Sequence, residues 1–195
     1  MEIQFTNNEV LLKKFFDYFK TLKEMSVAVG SAYKQMVAKK EFNNERIIFS
    51  GLKWELNDNL FKDFVAPIER NDIYSLSNCL NEELYYVSKL NNIIYLTDIN
   101  AFTFVDCISD IFDKQSVVFN SLCDNKRYEK TLKLINESRA TLNGVNSSIV
   151  LVTKNCLKSC NQPILNYAVV SGFFDIYKSI DIAFSEVQRV IINNI

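Results

Sequence analysis

The sequence predicts an all-α protein, a six-helix up-and-down bundle, and three observations carry that prediction. Apolar residues recur at steps of three and four through most of the chain, which is the period of a helix with one buried face. Only four glycines and two prolines interrupt 195 residues, far too few for the many tight turns of an all-β fold. Nearly half the residues are apolar, with fifteen Phe and nine Tyr among them, so one sizeable core can form without disulfides or a metal.

The first helix starts at a Thr6 or Asn7 cap and runs to about Val37, carrying Leu11, Phe15, Tyr18, Leu22, Met25, Val29, Tyr33 and Met36 on one stripe. A polar corner follows at residues 38–44. A second helix then spans about 44–64, with Ile48, Leu52, Leu56 and Leu60 on its apolar side. Pro67 has no backbone N–H and biases Ala66 away from helical geometry, so the second helix stops before it. The third runs from Arg70 to about Asn92, on the stripe Ile73, Leu76, Leu80, Leu84 and Val87, with Asp72 placed to favour the N-terminal end of the macrodipole. After a weaker, polar stretch at 91–100, a fourth helix covers about 102–122 with Val105, Ile108, Phe112 and Val118 inward. The fifth starts near Asn125 and carries Tyr128, Leu132, Ile135, Leu142, Val145, Ile149 and Val152. Pro163 suits a first helical position and opens the sixth, whose stripe is Ile164, Tyr167, Val170, Phe174, Tyr177, Ile180, Phe184, Val187 and Ile191.

Both prolines fall at the start of a third helix, ~96 residues apart, so the spacing predicts one domain of two three-helix repeats, about 1–97 and 98–195. Gly30, Gly51, Gly144 and Gly172 lie inside helices, each costing about 1 kcal/mol relative to alanine, and close helix approach is the expected compensation.

Composition also excludes function classes. A net charge of −1 with both signs interspersed offers no basic stripe for nucleic acid. The start MEIQFTNNEV lacks a secretory pattern and no run approaches the ~20 apolar residues of a membrane span, so a cytoplasmic location is expected. Five scattered cysteines read as reduced residues. Cys156 and Cys160 could share a helix face, but without a histidine or a second pair they read as ordinary core residues rather than zinc ligands. The absence of histidine removes di-iron Glu-x-x-His bundles, and no phosphate loop, dinucleotide fingerprint or nucleophile elbow is present. No cofactor and no enzymatic activity are expected.

One string is more specific. Phe64-x-x-Pro67-Ile68-Glu69-Arg70-x-Asp72-Ile73-x-x-Leu76 resembles the helix-turn-helix signature of the PhoU-like phosphate transport regulators, in the branch that accompanies Pit-type phosphate transporters, which reads F-I-T-P-(F/I)-D-R-E-D-I-x-x-L. Glu69 departs from the usual Asp and is the poorer N-cap. The resemblance implies two three-helix units in one bundle, self-association into a homodimer, and a peripheral cytoplasmic protein that regulates phosphate uptake by contacting a Pit-type transporter or another membrane-associated regulatory protein. The alternative is an adaptor or scaffold that kept the fold and exchanged the partner.

The resemblance also implies E-x-x-x-D pairs that hold a metal cluster, since carboxylates four apart share a helix face. Here the first pair falls on Arg46 and Ser50. The third helix keeps Glu82 but has Tyr85 in place of another acid, the fifth keeps Glu137, and the sixth has Tyr177 with Asp181. Glu82, Glu137 and Asp181 are thus the remnant of a dismantled ligand set, and no bound metal is expected. Arg46 is expected to replace the cation by pairing with Glu137 or Asp181 inside the bundle.

Overall fold

The computed structural model describes residues 2–62, 69–96, 102–122, 128–159 and 163–193, with side chains from residue 13 onward apart from 15 and 156–159. All regular structure among them is helical: α1 Glu2–Val37, α2 Asn43–Lys62, α3 Arg70–Ile94, α4 Phe104–Leu122, α5 Tyr128–Ser159 and α6 Pro163–Asn193. The helices expected from the spacing are therefore present, with ends within a few residues. Phe64, Pro67, Cys123 and Cys160 lie outside the described residues, as does the side chain of Cys156.

Packing arranges five helices as a ring in the order α1, α3, α6, α5, α4, closed by α4 against α1. The sixth, α2, lies on the outside of α1 and touches α3 only marginally. Aromatic rings fill one end of the interior. Phe173 meets Tyr33, Phe102 and Phe104 at centroid distances of 6.4, 6.3 and 5.3 Å, edge to face in each case, which is a favoured arrangement of ring quadrupoles. The Tyr33 hydroxyl donates to the Val105 carbonyl at 2.9 Å, so its burial leaves no polar atom stranded.

The glycines divide into two kinds. A Cβ on Gly172 would come within 2.8 Å of Leu90 Cδ1, and one on Gly30 within 3.3 Å of Phe112 Cβ, so these two allow α6 to approach α3 and α1 to approach α4. Gly51 and Gly144 face open space, and helix approach within the bundle does not account for them.

The corner after α1 closes by a hydrogen bond from Lys40 N–H to the Gln35 carbonyl and one from Lys39 N–H to the Met36 carbonyl, with Lys39 in the left-handed region at φ 54°. Glycine ordinarily occupies that position. At the start of α3, Glu69 holds the N-cap position with no side-chain capping bond, and its carbonyl accepts from Asp72 N–H at 2.9 Å. Asp72 does more than favour the macrodipole. It is buried and pairs with Arg189 of α6 at 2.8 Å, while Arg189 also holds Glu186, which accepts from Ser75 of α3.

Two stripes hold over most of their length and depart from expectation at their N-terminal ends. On α2 the inward residues are Phe49, Leu56 and Leu60, and Ile48 is exposed. The first turns of α6 leave Ile164 and Tyr167 exposed.

Candidate functional site

The three acids singled out in the sequence do not converge. Glu82 is exposed on α3 and Glu137 is exposed on α5, where its nearest cation is Lys133, at 4.0 Å. Asp181, half-buried on α6, accepts from Arg139 Nε of α5 at 3.1 Å. The expected interior pairing of Arg46 is corrected by the structure: Arg46 is exposed on α2, with its guanidinium 5.9 Å from the Phe42 ring centroid. The physical reason is placement. α2 lies outside the ring, so no residue on its outer side reaches α5 or α6. Arg139, which lies two residues after Glu137 on α5, is the cation that meets Asp181, and it also donates to Gln188 at 2.8 Å and to Ser185. Among the described residues no three His, Cys, Asp or Glu side chains are grouped as a metal site would need.

Tyr85 is exposed, and Tyr177 is half-buried and stacks on Phe174 with centroids 5.7 Å apart. Burial, with the negative charge of Asp181 as a smaller contribution, raises the Tyr177 hydroxyl above its usual range and keeps it a neutral phenol at physiological pH.

In place of that cluster the structure shows a polar layer inside the ring. Glu83, next to the exposed Glu82, is fully buried and accepts from Gln115 Nε2 of α4 at 2.6 Å. Contacts between neighbouring helices fix the level of the others. Ser75 meets Glu186 and Lys89 meets Asp175, which sets Ser179 of α6 opposite Glu83. Ser121 meets Thr131 and Lys114 meets Thr141, which sets Ser138 of α5 beside Gln115. Gly30 packs on Phe112, which brings Ser26 of α1 to within about a turn of the same level. At about this level each ring helix thus contributes a buried polar side chain: Ser26, Glu83, Gln115, Ser138 and Ser179. The last two serines satisfy themselves on their own helices, at the carbonyls of Leu134 and Ile176.

The sequence held a signal for this layer. Residues 73, 76, 80, 83, 87, 90 and 94 form an unbroken heptad-like seam on α3, and Glu83 occupies a core slot in it. Gln115 fills the equivalent slot between Ile111 and Val118, and Ser138 the one between Ile135 and Leu142. Reading Leu84 as the seam residue hid Glu83.

The second feature is on the outside. Ile47, Trp54 and Phe61 stand seven residues apart along α2 and are 70%, 70% and 86% exposed, with Ile48 exposed beside them. Gly51 lies on the same outer side, where no atom beyond its own helix comes within 4 Å. A third feature, a groove of about 300 Å³ between α5 and α6, is lined by Ile149, Val150, Tyr167, Val170 and Phe174, with Lys154 the one charged lining residue among the described residues. No helix among the described residues is long and apolar enough to cross a membrane.

No protein-family profile matches this chain, and no curated protein is significantly similar to it.

Proposed function

We propose that this chain is a non-enzymatic accessory protein that acts by contact with another protein, and that the outer face of α2 makes the contact. The single observation that supports this is the row Ile47, Trp54 and Phe61, three large apolar side chains of α2 turned away from the bundle. Burying side chains of this kind in a partner contributes roughly 1.5–3 kcal/mol each, and Trp is prominent among residues that dominate interfaces. The resemblance carried by Pro67-Ile68-Glu69-Arg70-x-Asp72-Ile73 makes the partner a Pit-type phosphate transporter, contacted at its cytoplasmic face, and the outcome a change in inorganic phosphate uptake.

A second reading is favoured by the separation of Glu82, Glu137 and Asp181, which the resemblance would gather into one cation site. In it the chain is an adaptor bundle of the same fold whose partner is unrelated to phosphate.

Co-purification from membranes tests the first reading. Tagged protein should retain the transporter, and the double variant Trp54→Asp, Phe61→Asp should release it while its unfolding midpoint stays unchanged. Retention by the double variant would remove α2 as the contact. Phosphate uptake that is indifferent to deletion of the gene would remove the phosphate role and leave the adaptor. Self-association through the same face would show as a dimer in sedimentation that the double variant lacks.

A further inference from the structure

Glu83 and Gln115 face each other from α3 and α4, helices that are not neighbours in the ring, so their hydrogen bond crosses the interior. That bond uses one oxygen of Glu83 and the amide nitrogen of Gln115. The other carboxyl oxygen, Glu83 Oε2, and the amide oxygen, Gln115 Oε1, are both buried and have no hydrogen-bond partner. Two stranded acceptors side by side in a dry interior are unfavourable, and two acceptors cannot satisfy each other. A single proton resolves both. A carboxylic acid has one donor and one acceptor, as does the facing edge of a carboxamide, so the two groups can pair head to head through two hydrogen bonds.

We propose that Glu83 is a proton-binding site of the folded bundle, its acid O–H donating to Gln115 Oε1 while Gln115 Nε2 donates back, and that opening the bundle releases this proton. The surroundings favour the neutral form. Ser26 of α1, Ser138 of α5 and Ser179 of α6 bring hydroxyls to this level and no charge. The charged groups nearest in sequence on the facing helices are exposed or engaged elsewhere: Glu24 of α1 and Glu137 of α5 are exposed, Lys114 of α4 meets Thr141, Arg139 of α5 meets Asp181, and Lys178 of α6 lies over the Phe174 ring. On α3 itself, Glu82 points to solvent, and the Cys79 thiol one turn away is pushed up to about 12, chiefly by burial, so it too is neutral. With one acid among neutral partners, the layer lacks the charge to hold a cation.

Burial pushes the Glu83 carboxyl up to about 8 from an ordinary 4.5, against the opposing pull of the Gln115 hydrogen bond. Because the folded value is the higher one, the stabilisation is complete below about 4.5 and is lost as pH rises towards about 8. Across that window the folded chain holds a proton that the opened chain does not. The opening constant therefore grows by up to about tenfold per pH unit.

Two measurements on the full chain test this. In the infrared spectrum at pH 7, the wild type should show the carbonyl stretch of a protonated carboxylic acid, sensitive to deuterium exchange and lost as pH is raised past about 8. Urea unfolding of the wild type should weaken from pH 5 to pH 8. Glu83→Gln, which preserves the head-to-head pair without a titrating group, should lack the infrared band and flatten that weakening by one proton. A wild type without the band at pH 7, or a Glu83→Gln variant with the same pH slope, would overturn the assignment. The infrared arm decides the matter on the wild type alone if the variant fails to fold.

Discussion

Helices α2 and α5 are built from similar material and end in different surroundings, α2 outside the ring and α5 within it. Each carries apolar residues on more than one side. α5 wedges between α4 and α6 and is tied to both, through Thr131 to Ser121, Thr141 to Lys114, and Arg139 to Asp181, Ser185 and Gln188. α2 leans on α1, with Ser31 donating to Glu45 at 3.0 Å as a polar tie. A helix with two neighbours buries a wide apolar face, whereas a helix with one buries a narrow stripe and leaves the remainder in water. That remainder is Ile47, Trp54 and Phe61. The lesson is that α5 completes the core of this chain, and the outer side of α2 is the part whose apolar content the core does not explain.

Breaking the core should have the largest effect. Phe173→Ala removes the ring that three other aromatic rings surround and should cost about 3–5 kcal/mol in denaturant unfolding, the range for a large-to-small change in a packed interior. Cutting the tether of α5 comes next. Arg139→Ala leaves the half-buried Asp181 and Gln188 without their donor and should cost about 1–2 kcal/mol, with partial relief from solvent because Asp181 is only half covered. At the corner that launches α2, Lys39→Gly relieves a left-handed conformation that disfavours side chains and should stabilise by about 0.5–1 kcal/mol. Smallest of all is the outer face of α2. Trp54→Ser and Phe61→Ser should each lie within about 0.5 kcal/mol of the parent, since neither ring is covered by this chain. A loss above 2 kcal/mol at either position would mean that α2 is buried against something in the isolated protein, and the contrast with α5 would fail.

The comparison also separates what could be read in advance from what could not. Helix positions followed from local rules, because the period of apolar residues and the rarity of glycine and proline act within a few turns. Arg70 as the start of α3 and Pro163 as the start of α6 are examples. Facing was harder. Ile48, expected inward, lies outward and Phe49 takes the inward place at that end of α2, while Leu56 and Leu60 face in as expected. On α3 the buried acid stands one residue from the expected one: Glu82 is exposed and Glu83 sits at a seam position inside the ring of five helices. Adjacent residues on a helix point about 100° apart, so that single step moves a carboxyl group from water to the interior, where burial raises its pKa.

By itself, then, the sequence determined the class of structure and the placing of its helices, because hydrogen bonding and apolar periodicity are local properties of a chain. Only the tertiary structure decided the order of the ring, the exclusion of α2 from it, the meeting of Arg139 with Asp181, and the pairing of Glu83 with Gln115 across the interior. Those depend on which faces meet, and contacts between residues tens of positions apart are settled by the joint packing of all the helices.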